Sequence, residues 1–148
     1  MNYIIRNMVK EDRETIIKMM KVFYASDAVL SNGTIEIFQN DFDNCINDSP
    51  YLEGYVFELN GIILGYAILA KSFSTEYGVN CIWIEDLYIE PEYRGKGIGS
   101  NFFKFIEEKY PNYLFKLEVE EDNQKAINMY YKNNFKILPY IEMIKLNK

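Results

Sequence analysis

The chain has no histidine among its 148 residues. That removes any Ser-His-Asp triad, any Cys-His dyad and any histidine-ligated metal site. A general acid or base must then be a carboxylate, tyrosine, lysine or cysteine. Cysteine is scarce too. Cys45 and Cys81 are too few for a disulfide framework, and they supply no structural zinc site. They are expected as two free thiols in or near the core, and no metal is expected. No apolar run approaches the ~20 residues of a membrane-spanning helix. The first residues, "MNYIIRNMVKEDRE", lack the basic-then-apolar layout of a secretory leader. The expectation is a soluble, cytoplasmic protein that binds no membrane. Positive charge is also in deficit. A net charge of −6 argues against nucleic acid as the main partner and is compatible with a cationic small molecule.

What is present is an ordinary globular composition, 49% apolar and 26% charged, without repeats or linkers. One domain over 1–148 is expected. "NYIIRNM" reads as a strand, and a helix follows from about Lys10, with Ile16, Ile17, Met20, Phe23 and Tyr24 at helical spacing. A second helix runs from about Thr34, with Ile35, Phe38, Phe42, Cys45 and Ile46 on one face, and it ends before Pro50. Asn60-Gly61 lies between two β-rich runs, a signal for a type I′ hairpin. "NCIWIEDLYIEP" is a further strand. A helix over Gly97–Tyr110, the strand "YLFKLEVE", a helix in "NQKAINMYYKNN" and one or two closing strands in "FKILPYIEMIKL" complete the order βαα-βββ-αβ-αβ. Early hairpins and later helical connections imply a mixed sheet with helices on its faces.

Glycine is sparse, yet three of the eight stand at 95, 97 and 99, just before a helix. Strand, glycine turn and helix N-terminus together make a site for phosphate. Unpaired N–H groups and the positive end of the helix dipole converge there, and no side chain keeps an anion away. Arg94 and Lys96 add positive charge. Spacing alone leaves a tight turn with solvated basic residues equally open. The segment has neither the Walker A frame nor the early position of a dinucleotide fingerprint.

"YRGKGIGS" resembles the pyrophosphate signature (Q/R)-x-x-G-x-(G/A) of the GNAT superfamily of acetyl-CoA-dependent N-acetyltransferases, with Arg94, Gly97 and Gly99 in its fixed places. "IEDLYIEPEYRGKGIG" is similar to that family's fourth strand and loop. Asn123, Ala126, Tyr130 and Phe135 match the spacing of its closing signature. The family usually has Gly before the final Phe. Here Asn134 stands there, the next best residue for a left-handed helix end. The resemblance covers nearly the whole chain. It implies an α/β fold with a central, mostly antiparallel, twisted sheet of about six to seven strands and about four helices on its faces.

The resemblance also implies roles. Acetyl-CoA would be the co-substrate, with its pyrophosphate over the main chain of Gly95, Lys96, Gly97, Ile98, Gly99 and Ser100 beside Arg94. Main-chain groups of Leu87, Tyr88 and Ile89 would serve the oxyanion and the pantetheine arm. Asn123 would meet the cofactor or cap the last helix. Tyr130 would be the general acid at the sulfur. Its residue pattern alone favours a core tyrosine on an amphipathic helix.

Glu85 and Asp86 are two consecutive acids inside an apolar strand, which is costly unless they are paired or used. Consecutive strand residues face opposite sides unless a bulge re-aims one. The resemblance implies such a bulge, with Glu85 accepting the amine proton through water and Asp86 holding the cationic substrate. A surface salt bridge for one of the two is the ordinary alternative.

"SFSTEYGVNCIWIEDLYIEPEYRGKGIGS" is more specifically similar to the spermidine/spermine N-acetyltransferase branch and its diamine- and thialysine-acetylating relatives. That implies a small polyamine-like or amino-acid-like acceptor met by Glu76, Glu85 and Asp86. It also implies a homodimer, since many relatives pair. A protein N-terminal or lysine acetyltransferase, or a non-catalytic CoA-binding sensor, fits the same fold.

Overall fold

The structure is a computed structural model and describes residues 2–147. Five strands form one sheet in the order β1-β2-β3-β4-β5: β1 (Ile4–Asn7), β2 (Leu52–Leu59), β3 (Ile62–Ser74), β4 (Val79–Ile89) and β5 (Leu114–Leu117). The first four are antiparallel, and β5 runs parallel to β4. Four α-helices accompany them: α1 (Arg13–Tyr24), α2 (Ile35–Ile46), α3 (Ile98–Lys109) and α4 (Gln124–Lys132).

Each helix follows its apolar stripe. Ile16, Ile17 and Met20 of α1 and Phe38 and Phe42 of α2 pack against Val56, Tyr66, Ile68 and Tyr88. Ile98, Phe102, Phe103 and Ile106 of α3 pack with Tyr55, Phe57, Leu69 and Ile82, and Met129 and Tyr130 of α4 join them. Alternation along the strands sends 55 and 57 one way and 56 the other, so the two clusters lie on opposite faces of the sheet. Thr34 caps α2 through the Ile37 N–H. Asn60 and Gly61 both take positive φ, 49° and 82°, which is the geometry of a type I′ turn.

Residues 136–147 correct the expected strand count. They form no strand, and the sheet has five strands rather than six or seven. Their β-branched and apolar side chains favour extended chain, but a strand forms only where an edge takes it up, and here the outer edge of β5 stays unpaired among the described residues. No edge of this chain takes them, and Ile141 and Met143 stay 91% and 90% exposed.

Two β-bulges shape the sheet. Opposite Phe57 and Glu58, β3 carries the extra residue Leu64. Opposite Ile68 and Leu69, β4 carries the extra residue Glu85. Between them Gly65 faces Ile89, and a Cβ there would stand 2.1 Å from the Tyr88 carbonyl oxygen. Gly65→Ala must therefore push β3 and β4 apart. A loss of about 3 kcal/mol is expected, roughly 10 °C in Tm, and thermal unfolding monitored by circular dichroism checks it.

Candidate active site

The bulge at Glu85 does what two adjacent acids in a strand require. Up to Ile84 the even-numbered residues of β4 face the α3 side, with Ile82 and Ile84 in that cluster. After the extra residue the parity reverses: Leu87 and Ile89 face α3, and Tyr88 faces α1. Glu85 and Asp86 thus fall on the same face and line one cavity of about 520 Å³ with Phe23, Tyr24, Asp41, Leu52 and Ile68. The C-terminal side of the chain closes it with Glu118, Glu120 and Glu142. Six carboxylates line this cavity, and among the described residues no lysine or arginine does. Among the described residues, no three His, Cys, Asp or Glu side chains are grouped to hold a metal ion.

The charges bear on one another. Asp86, 3% exposed, accepts a hydrogen bond from Tyr24 on Oδ1 and from Tyr66 on Oδ2, both at 2.8 Å. Its burial, with some repulsion from Asp41 and Glu85, lifts its pKa to about 6 against the pull of the two phenols. Glu85 is raised by desolvation first and then by Asp41 and Glu142. Burial raises Asp41. Glu118 is pushed up to about 7, first by hydrogen bonding with Glu142, then by burial and nearby negative charge. Every resolved shift on an acid here is upward, so the cavity lacks a counter-charge.

The glycine segment sits at the far end of β4. Gly95 and Gly97 are left-handed, with φ 73° and 83°, and a Cβ on either would meet nothing within 4 Å. Gly97 starts α3 with no side-chain cap, which leaves the first-turn N–H groups bare. Gly99 has a different reason: a Cβ there would stand 2.9 Å from the Met129 sulfur. Its bareness brings α4 against the first turn of α3, and Asn133 ties the two by donating to the Ser100 hydroxyl at 3.0 Å. Arg94 lies over the Tyr88 ring and donates to the Ile89 carbonyl at 2.7 Å, while Lys96 lies over Tyr93. Exposed backbone, open space, a free helix start and two cations fit a phosphate group.

Between the acidic cavity and the glycine segment the sheet opens. β5 pairs with β4 only from Cys81 to Ile84. Among the described residues no strand meets that edge of β4 along Leu87, Tyr88 and Ile89.

Tyr130 lies on the α3 face, packed between Phe103 at 6.0 Å and Phe135 at 5.8 Å between ring centroids. It is not part of the acidic cavity lining, and burial raises its pKa. Asn123 caps α4, its Oδ1 accepting from the Ala126 N–H. Asn134 takes the left-handed turn at φ 69°. Glu76 stands apart from Glu85 and Asp86. It sits in the β3–β4 turn outside the cavity and accepts a hydrogen bond from Tyr140 at 2.6 Å. The sequence alone does not single out Asp41, Glu118 or Glu142, and it marks Tyr24 only by its helical spacing. Asp41 follows Phe38 by three residues, a spacing that could have placed it on the same helix flank.

Residues 19–135 match the model of the acetyltransferase (GNAT) family. The chain belongs to that family. Over 72 residues it is 38% identical to mouse thialysine N-epsilon-acetyltransferase, a match covering 47% of this chain and 42% of that one. The match thus spans less than half of that relative's length. A possible acetyltransferase from Clostridium difficile 630 superposes with a TM-score of 0.80 at 21% identity, covering 99% of this chain and 97% of that one. The aminoglycoside N-acetyltransferase AAC(6')-Iy, solved with the bisubstrate analogue CoA-S-monomethyl-acetylneamine, gives 0.80 at 12% identity with full coverage of both chains. These two likenesses establish the GNAT fold. Among the described residues no helix is long and apolar enough to cross a membrane.

Proposed function

We propose that this GNAT chain transfers an acetyl group from acetyl-CoA to a small amine bearing more than one positive charge, polyamine-like or amino-acid-like. The observation that carries this reading is the cavity lined by six carboxylates and, among the described residues, no cation. A spaced dication supplies the charge those acids lack, and a neutral or anionic acceptor would leave them unpaired. The name of the mouse relative, which specifies an amino-acid-like amine, agrees with it.

The thioester, when bound, supplies an activated acetyl group. The N–H groups of Gly95–Ser100, with Arg94 and Lys96, are the place for the donor's pyrophosphate. The open edge at Leu87, Tyr88 and Ile89 is the place for its pantetheine arm. An alkylammonium with a pKa of about 10.4 must lose a proton before it attacks. Glu85 faces the cavity with no side-chain hydrogen bond among the described residues, and its raised pKa suits it to accept that proton through water. Asp86, fixed and buried, holds the ammonium, and Asp41, Glu118 and Glu142 attract its further charge. Tyr130 keeps its proton on Oη at neutral pH and gives it to the departing thiolate. Asn123 contributes by starting α4 in place.

Two copies are proposed to pair. The support is the extended segment 136–147, where Ile141, Met143, Ile144 and Leu146 are highly exposed beside a sheet whose last strand, β5, has a free outer edge. Light scattering at twice the chain mass is the expected reading.

Thiol release across an amine panel tests the acceptor. Diamines, polyamines and lysine analogues should show kcat/KM about 10-fold or more above matched monoamines, since one further charge-assisted contact is worth at least about 1.5 kcal/mol. Release with a peptide N-terminus or peptide lysine alone would favour a protein acetyltransferase. Acetyl-CoA binding without release across the panel would favour a sensor.

A further inference from the structure

Asp86 is a buried carboxylate. Among the described residues no salt bridge reaches it. The groups facing it are acidic or neutral: Asp41 and Cys45 on α2, Glu85 on β4, Tyr24 on α1 and Tyr66 on β3. Glu118 and Glu142 bear on it only through Glu85. Among the described residues two phenols are thus its only hydrogen-bond donors, one per oxygen, from elements on two sides. If the pocket needed only to be filled, an apolar residue at 86 would pack there without a desolvated charge. A pair of neutral donors does something else. It holds the carboxylate in one rotamer and favours its ionised form without cancelling its charge, which leaves that charge available to a ligand.

The two tyrosines differ. Tyr66 is fully buried, and its hydroxyl donates to Asp86. Tyr24 lines the cavity. A phenol has one proton and spare acceptor lone pairs. With its proton committed to Asp86, the Tyr24 oxygen is left as an acceptor beside the carboxylate.

Resting on the acceptor reading above, we propose that Tyr24 and Tyr66 are positioning residues that hold Asp86 charged and fixed, and that the Tyr24 oxygen shares the bound ammonium with it. Removing either hydroxyl removes a contact that favours the carboxylate, so Asp86 takes up a proton at higher pH. The acid limb of amine acetylation moves with it.

Carbon-13 NMR titration of the Asp86 carboxyl in the whole protein, without amine, is the primary test. Tyr24→Phe and Tyr66→Phe should each raise its midpoint by about one pH unit. In kinetics, the acid limb of kcat/KM for the amine should rise by the same amount. Tyr24→Phe should also raise the acceptor KM about 10-fold at pH 7.5, with Tyr66→Phe raising it less. A merely packing role moves neither midpoint nor limb, and an unmoved midpoint in both variants overturns the proposal. If Tyr66→Phe fails to fold, the half-buried Tyr24→Phe decides alone. A shifted midpoint in a protein that acetylates no amine supports the clamp and overturns the acceptor reading instead.

Discussion

Tyr130→Phe is expected to lower kcat by about 10²- to 10⁴-fold, the range of general acid catalysis, while leaving acetyl-CoA affinity unchanged. The substitution is clean because the ring does the packing. It sits between Phe103 and Phe135 on the α3 face, and phenylalanine keeps those contacts. Only the hydroxyl goes. Burial raises the pKa of Tyr130, so at neutral pH it holds its proton in the form an acid must have. An interaction made only in the transition state lowers kcat and kcat/KM together and leaves ground-state binding alone. Thiol release gives the rate and calorimetry gives the affinity. Full activity in Tyr130→Phe would remove the residue from the mechanism.

The second large effect is a division of labour between adjacent acids. Glu85→Gln should lower kcat about 10²-fold with little change in acceptor KM, because an amide cannot take the proton. Asp86→Asn should raise the acceptor KM by about 10-fold or more, the worth of a hydrogen bond to a charged group. Neither should alter CoA affinity. The pH dependence carries the sign. Asp86 titrates at about 6, so acceptor binding should weaken as pH falls through 6, and Asp86→Asn should lose that limb. Stability runs the other way. A carboxyl whose pKa is raised on folding contributes stability below its unfolded pKa of 3.8 and loses it as pH rises through about 6. Asp86→Asn removes that cost at pH 7.5. The variant should be at least as heat-stable there as the parent, although it is a poorer enzyme. Equal effects of both substitutions on KM and kcat would contradict the division.

Local chemistry was legible in the sequence. Asn60-Gly61, the helix stripes and the left-handed Asn134 are each set by a few neighbouring residues, and all are found. The glycine segment was legible as special but ambiguous. The structure resolves its three residues into two causes, backbone conformation at Gly95 and Gly97 and helix approach at Gly99.

What depended on distant partners was not legible. Tyr24 lies on the apolar stripe of α1 and Tyr66 inside an apolar strand, so neither stands out in its local sequence. Nothing local says that their hydroxyls meet a carboxylate 62 and 20 residues away. Asp41, Glu118 and Glu142 come from three separate segments that meet only in the fold. Glu76 is near Glu85 in sequence, yet the β3–β4 turn carries it away from the cavity. The closing segment has strand composition, but composition does not decide whether an edge takes it up.

The bulge at Glu85 joins these threads, since without it one of two adjacent acids would face α3. The central claim is that this face receives a multiply charged small amine for acetylation. Mass spectrometry of a competition reaction tests it most directly, with acetyl-CoA offered to a diamine, a polyamine, a lysine analogue, a monoamine and a peptide together. The account predicts that the small amines bearing more than one charge are acetylated first, with one CoA thiol released per acetyl group transferred. Acetylation of the peptide or the monoamine in their place would contradict it.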